Sequence, residues 1–184
     1  IPAGSGGIGT FAIQLAKHLG AKVGTTTSTG NVELVRRLGA DEVVDYKKQA
    51  FETVLRDYDA VLGTVRGDAI EKSVVILKPR GKIVSLIGPL DVAFARARRA
   101  NVVLTAVFTL MSFKIKRLAK KHDVDYSFLV AHADGKQLAE IAKLLETQRI
   151  RPVIDKVFPF EQAREALEYL AQGRSKGKVV VQMR

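Results

Sequence analysis

No cysteine occurs anywhere in the 184 residues. Disulfides and thiolate-bound zinc are therefore excluded from this chain, and a reducing, cytoplasmic setting is the expectation. Long apolar runs are missing too. The longest mostly apolar stretch, Val102 to Phe113, is too short to cross a bilayer and is interrupted by Thr105, Thr109 and Ser112. No basic stretch followed by an apolar one stands at the start, so no secretory signal is visible. The opening Ile1-Pro2-Ala3-Gly4 also lacks Met, which leads to the expectation that residues precede it. Acid is absent from one long segment. Ala93 to His122 carries Arg96, Arg98, Arg99, Lys114, Lys116, Arg117, Lys120 and Lys121 without a single Asp or Glu, and supplies most of the net charge of +11. A solvated face, with long basic side chains lying over apolar helix, is the preferred reading. An anionic partner, whether lipid surface, nucleic acid or phosphorylated substrate, is the alternative, with a membrane surface ahead of nucleic acid.

What is present is ordinary for a folded domain: 47% hydrophobic and 27% charged residues, enough for one well-buried core. Apolar residues at Ile8, Phe11, Ala12, Leu15, Ala16 and Leu19 follow helical spacing, and Gly20 offers a stop. Ala21 to Thr26 reads as a strand, Asn31 to Leu38 as a helix with Asn31 as its cap, and Glu42 to Asp45 as a further extended piece. The alternation repeats with strand Asp59 to Thr64, helix Asp68 to Leu77 and strand Lys82 to Ile87, with Pro79 and Gly81 expected to break the chain between the last two. Beyond Gly88-Pro89 the spacing predicts a helix over Asn101 to Lys121, a strand over Tyr126 to Val130 and a helix over Gly135 to Thr147. Val153 to Phe158, Glu161 to Ala171 and Lys178 to Met183 then read as strand, helix and strand. Strands alternating with helices in this way predict an α/β domain with a doubly wound parallel sheet.

The segment Gly4-Ser5-Gly6-Gly7-Ile8-Gly9 contains G-x-G-x-x-G, placed where a helix begins and about twenty residues before a turn at the end of a strand. Glycine there allows a tight turn and close approach of the backbone to a pyrophosphate, while the helix N-terminus offers free N–H groups to its charge. Candidate dinucleotide ligands are therefore Gly4, Ser5, Gly6, Gly7, Ile8 and Gly9. An NAD-binding chain carries Asp or Glu at the end of the next strand, for the ribose 2′-hydroxyl. This one has Thr25-Thr26-Thr27-Ser28-Thr29-Gly30-Asn31 instead, so NADP(H) is the expected cofactor, with Thr27, Ser28 and Asn31 as candidate donors to its 2′-phosphate.

Four segments then carry a resemblance: Ala3-Gly4-Ser5-Gly6-Gly7-Ile8-Gly9-Thr10, Leu38-Gly39-Ala40-Asp41-Glu42-Val43-Val44-Asp45-Tyr46, Leu77-Lys78-Pro79-Arg80-Gly81-Lys82-Ile83-Val84 and Gly173-Arg174-Ser175-Lys176-Gly177-Lys178-Val179-Val180-Val181. In this order they resemble the nucleotide-binding half of the medium-chain dehydrogenase/reductase superfamily, in its zinc-independent, quinone oxidoreductase-like, NADP-dependent branch. The resemblance implies that Tyr46 lies near the adenosine 2′-phosphate, that Arg174 reaches it from the C-terminal segment, and that Thr64, Val65, Ile87 and Gly88 lie beside the nicotinamide. It also implies a basic residue where Asn31 stands and a glycine where Arg66 stands. Residues 1–150 are then the dinucleotide-binding domain, without its first strand, and 151–184 a return segment to a GroES-like catalytic domain lying outside this chain.

The activity so implied is hydride transfer from NADPH to a quinone or α,β-unsaturated carbonyl, in a homo-oligomer expected to be a dimer. The 184 residues alone are expected to be inactive. A non-catalytic NADPH-binding module, or a basic membrane- or nucleic-acid-associating protein, is the alternative. A short-chain dehydrogenase is excluded, because none of Tyr46, Tyr58, Tyr126 or Tyr169 has Lys four residues on. His18, His122 and His132 lack metal-ligand spacing, so no metal site is expected, and no residue is assigned as catalytic acid or base.

Overall fold

Parallel strands joined by helices make up the computed structural model, which describes residues 1–183. The α/β class expected from the alternating pattern is what forms. The residues gather into two units: one of Ile1, Ala3–Gln49 and everything from Ala133 onward, the other of Pro2 and Ala50–His132.

In the first unit, helix α1 (Gly9–His18) leaves the glycine loop and buries Ile13 completely. Strand β1 (Gly24–Thr27) follows, then a 3-10 turn over Thr29–Asn31, helix α2 (Val32–Arg37) and strand β2 (Glu42–Asp45). The two strands pair in parallel from Gly24 opposite Glu42 to Thr27 opposite Asp45. Ile13, Val23, Val35 and Ala40 form a core between helices and strands, with Ala16, Leu38 and Val43 packed on it. Asp41 ties the layers together, because its carboxylate accepts from the Val23 amide at 2.7 Å and from Lys17 Nζ at 2.9 Å. These two donors, the amide foremost, hold its carboxyl below the usual carboxylate range.

The second unit begins with the short helix α3 (Phe51–Val54), which the sequence pattern does not predict, and strand β3 (Tyr58–Gly63). Helix α4 (Ala69–Ser73) runs on through a 3-10 turn into strand β4 (Leu77–Ser85). Here an expectation is corrected. Pro79 and Gly81 do not break the chain before β4 but sit inside it. Arg80 adopts φ 64°, and the register against β3 jumps from Tyr58–Leu77 to Ala60–Lys82, so the extra residues form a bulge at the sheet end. Helix α5 (Val92–Ala97) is a second short element that the sequence pattern does not predict, capped by Asp91 through the Phe94 amide. Helix α6 (Val102–Lys121) is capped in the same way by Asn101, and strand β5 (Asp125–Phe128) closes a three-stranded sheet in the order β3-β4-β5. Ile70, Val74, Ile83, Ile115 and Ala119 are buried around it.

The chain then returns to the first unit with helix α7 (Gly135–Glu146), strand β6 (Ile154–Pro159), helix α8 (Ala163–Ala171) and strand β7 (Lys178–Gln182). Strands β6 and β7 pair in parallel as a two-stranded sheet of their own.

Candidate functional site

The glycine loop is fixed to strand β1. The Gly4 amide donates to the Thr26 carbonyl at 2.9 Å, Ala3 donates to the Thr26 hydroxyl, and the Gly6 carbonyl accepts from both the amide and the hydroxyl of Thr10 at 3.0 Å. The glycines serve different ends. A Cβ on Gly4 would fall on the Thr25 hydroxyl, and one on Gly9 would fall on the Ala3 carbonyl and the Gly4 backbone, so the packing of the chain itself demands glycine at both. Gly6 is otherwise. Its φ is not positive, and a Cβ there would meet only the Ala3 carbonyl, at an ordinary 3.4 Å.

Among the described residues, the amides of Gly7, Ile8 and Gly9 donate to no acceptor, and no side chain caps α1. Free N–H groups at a helix start beside an unfilled glycine are the features that a bound pyrophosphate requires. The loop therefore fits a dinucleotide phosphate.

Ser5 is the hub of the loop's polar contacts. Its hydroxyl oxygen accepts from Thr27 Oγ1 at 2.9 Å and from Asn31 Nδ2 at 3.2 Å, while Asn31 Nδ2 also reaches the Ser28 hydroxyl at 3.2 Å. Ser5, Thr27, Ser28 and Asn31 are thus brought together, but by bonds to one another. Asn31 stands at the N-cap position of α2 without capping it, contrary to expectation, because its amide is turned to these two serines. The threonines of β1 are buried, with Thr25 donating to the Ile1 carbonyl at 2.6 Å, so their hydroxyls serve the fold.

Tyr46 is joined to this edge through its amide, which donates to the Thr27 carbonyl at 3.1 Å, and its ring is exposed. The neighbouring Asp45 accepts from the Thr29 hydroxyl at 2.6 Å and from the Lys47 amide at 3.0 Å. These bonds, the hydroxyl foremost, hold its carboxyl below the ordinary carboxylate range. Arg174 lies in the exposed turn before β7 and makes no hydrogen bond or ion pair among the described residues. Two neighbours in that turn do meet the loop. The Gly177 amide donates to the Ser5 carbonyl at 2.8 Å, and Lys178 Nζ donates to the Gly7 carbonyl at 3.2 Å. Nothing in the spacing of the sequence pointed to these two contacts.

In the second unit, Thr64 follows β3 and donates its hydroxyl to the Pro2 carbonyl at 2.8 Å, with Val65 beside it. Beyond β4, the Ile87 and Gly88 amides both point at the Ser85 hydroxyl, at 3.4 and 2.7 Å. Gly88 has no room for a Cβ, since the Tyr126 and Ser85 hydroxyls crowd it. Tyr126, absent from the residues picked by sequence, donates to the Pro89 carbonyl at 2.8 Å, and burial pushes its phenol up to about 12. Ile87, Gly88 and Pro89 line a cavity of about 410 Å³, together with Ile70 of α4 and Met111 and Ile115 of α6. The basic face of α5 and α6 is less free than its composition suggests, because Lys114 pairs with Glu71 at 3.0 Å and Lys116 with the buried Asp91 at 3.3 Å. Among the described residues, no cluster of His, Asp or Glu is placed to hold a metal ion.

The model of a family described as zinc-binding dehydrogenase matches residues 38–181. A mitochondrial NAD(P)H oxidoreductase of Danio rerio is 36% identical over 183 residues, which take in 97% of this chain and 47% of that protein. The 2-methylene-furan-3-one reductase of Solanum lycopersicum is 34% identical over 182 residues, 97% of this chain and 38% of that protein. The solved structure of a quinone oxidoreductase from Coxiella burnetii aligns with the whole chain at a TM-score of 0.81 and 29% identity, covering 51% of its own length. The chain spans about half the length, or less, of these relatives. A family match that takes in most of the residues, together with this likeness in sequence and fold, shows that the chain belongs to the zinc-binding dehydrogenase family of the medium-chain dehydrogenase/reductase superfamily.

Proposed function

We propose that this chain is the nucleotide-binding part of an NADPH-dependent reductase acting on a quinone or an α,β-unsaturated carbonyl. The observation that carries the reading is Gly6. Neither its backbone conformation nor its neighbours call for glycine, and the adjacent amides of Gly7, Ile8 and Gly9 are free, so a pyrophosphate accounts for both. When bound, the dihydronicotinamide supplies the hydride that the reduction consumes. The chain's own part is to bind and orient. The Gly4–Gly9 loop grips the phosphates, and the Ser5 hydroxyl, accepting two bonds, keeps its own proton to donate.

Preference for NADP rests on the turn from Ser28 to Asn31, which carries no carboxylate, while Asp45 nearby is occupied by Thr29 and Lys47. Tyr46 and Arg174, both exposed, are taken as the residues facing the 2′-phosphate. For the second unit, Thr64, Val65, Ile87 and Gly88 are assigned to the nicotinamide end on the resemblance of the sequence. The same resemblance supports residues 1–150 as the nucleotide domain, catalysis without zinc, and a dimer. Names of relatives support the substrate class, since those proteins include an enone reductase and a quinone oxidoreductase.

The test uses the full-length gene product. NADPH and NADH are titrated calorimetrically, and NADPH oxidation is followed with a panel of enones and quinones. Tighter binding of NADPH and turnover of at least one class are expected. Equal affinity for both cofactors would remove the NADP preference, and no turnover of any carbonyl or quinone would remove the reductase assignment.

A further inference from the structure

The cavity of about 410 Å³ in the second unit is apolar over most of its wall, where Ile70, Ile87, Pro89, Met111 and Ile115 line it. That size falls in the range of small-molecule sites. Two charged residues share the lining, Arg66 and Glu71. Glu71 is already satisfied, its Oε2 lying 3.0 Å from Lys114 Nζ. The other acids close by in sequence are engaged as well, Asp68 with Lys72 at 2.9 Å and Asp91 with Lys116 at 3.3 Å. Arg66 makes no ion pair or hydrogen bond among the described residues. A permanently charged fork thus stands at an apolar cavity with every neighbouring carboxylate spoken for.

We propose that this cavity receives a substrate with an apolar body and a carboxylate, the carboxylate pairing with Arg66. The inference rests on the reductase reading above and narrows it to acidic enones or quinones. An Arg–carboxylate pair is bidentate and charge-assisted, and the exposed Arg66 stays open to an incoming carboxylate while the apolar wall beside it takes the body of the molecule. A neutral substrate of the same shape leaves the guanidinium without a partner and gains nothing from it. The side chains of Ile70, Met111 and Ile115 serve the remainder of the molecule, and the Ser85 hydroxyl holds the backbone of Ile87 and Gly88, which also line the cavity.

The full-length gene product is assayed with NADPH and a matched pair, 4-oxo-4-phenylbut-2-enoic acid and its methyl ester. The acid is expected to show a kcat/KM roughly threefold to fivefold above the ester's. Arg66→Gln should raise KM for the acid by a similar factor and narrow the acid-over-ester preference, and Arg66→Lys should restore part of it. Equal kcat/KM for acid and ester, or an Arg66→Gln effect confined to the KM for NADPH, would overturn the proposal. If neither compound is reduced, the reductase reading is judged by the wider panel of enones and quinones, and binding decides this inference. Calorimetric titration with 4-oxo-4-phenylbutanoic acid should then give a heat that Arg66→Gln abolishes and that the methyl ester lacks. Indistinguishable heats would refute it.

Discussion

The Gly177 amide donates to the Ser5 carbonyl across 2.8 Å, so the turn before β7 is hydrogen-bonded to the phosphate loop. Gly177 does this at φ 83°, with the Val153 side chain 2.8 Å from where a Cβ would sit. Gly177→Ala therefore meets both a left-handed backbone penalty and a clash. A loss of roughly 1–3 kcal/mol is expected in chemical denaturation, together with weaker NADPH binding as the loop loses its support.

Gly6 and Gly9 separate ligand from fold. Gly9→Ala drives a methyl into the backbone of Ala3 and Gly4 and should cost about 1–3 kcal/mol of stability. Gly6→Ala should leave the melting temperature close to wild type yet weaken NADPH roughly tenfold or more, because its methyl occupies the space of the pyrophosphate. Unchanged NADPH affinity in that variant would mean that the ligand does not approach Gly6.

A carboxylate at the turn should act through charge alone. Ser28→Asp is expected to weaken NADPH by repulsion of the 2′-phosphate and to spare NADH, as read by parallel titrations. Equal weakening of both would place Ser28 away from that phosphate.

Tyr126 gives the alkaline side of the stability profile. Burial raises its phenol from 10.0 to about 12, so the folded state favours the neutral form. Its contribution is complete below the unfolded value near 10 and is lost as pH rises towards 12. Denaturation midpoints should fall over that interval for the wild type and less steeply for Tyr126→Phe. Ultraviolet titration of the two proteins should show the late-ionising phenol missing from the variant.

Periodicity carried most of the fold. Helix α6 lies within the basic-flanked helical region expected over Asn101 to Lys121, and β2 emerges at its predicted bounds because a short apolar run between a glycine stop and a turn has few other options. Helix α3, with four residues, is too short for a period to show, and α5 has only the capping Asp91 to mark it. Strand β4 was misjudged at its start for a different reason. Pro79 and Gly81 interrupt ordinary strands, and only the pairing with β3 makes room for a bulge around them.

The site divides in the same way. The glycine loop is local, so its sequence suffices. The commitments of Thr25, Thr27 and Asn31 are not, because what each side chain donates to depends on partners more than twenty residues away. Arg66 had no rationale in sequence for the same reason, as the cavity beside it is walled by Met111 and Ile115 from a distant helix.

Lys178 reaches the Gly7 carbonyl over a sequence separation of 171 residues. On a translating ribosome that distance is time. At about 5–20 residues per second, roughly 10–30 s pass between synthesis of the loop and synthesis of the turn that clasps it. Residues 50–132, contiguous in the chain, can gather into their own unit during that interval, whereas the unit containing the loop must wait for β6 and β7. The nascent protein thus carries its phosphate loop unclasped until the turn before β7 has been made, so a dinucleotide meets a finished grip only then, and a stop codon shortly before Gly177 would yield a chain that never forms one.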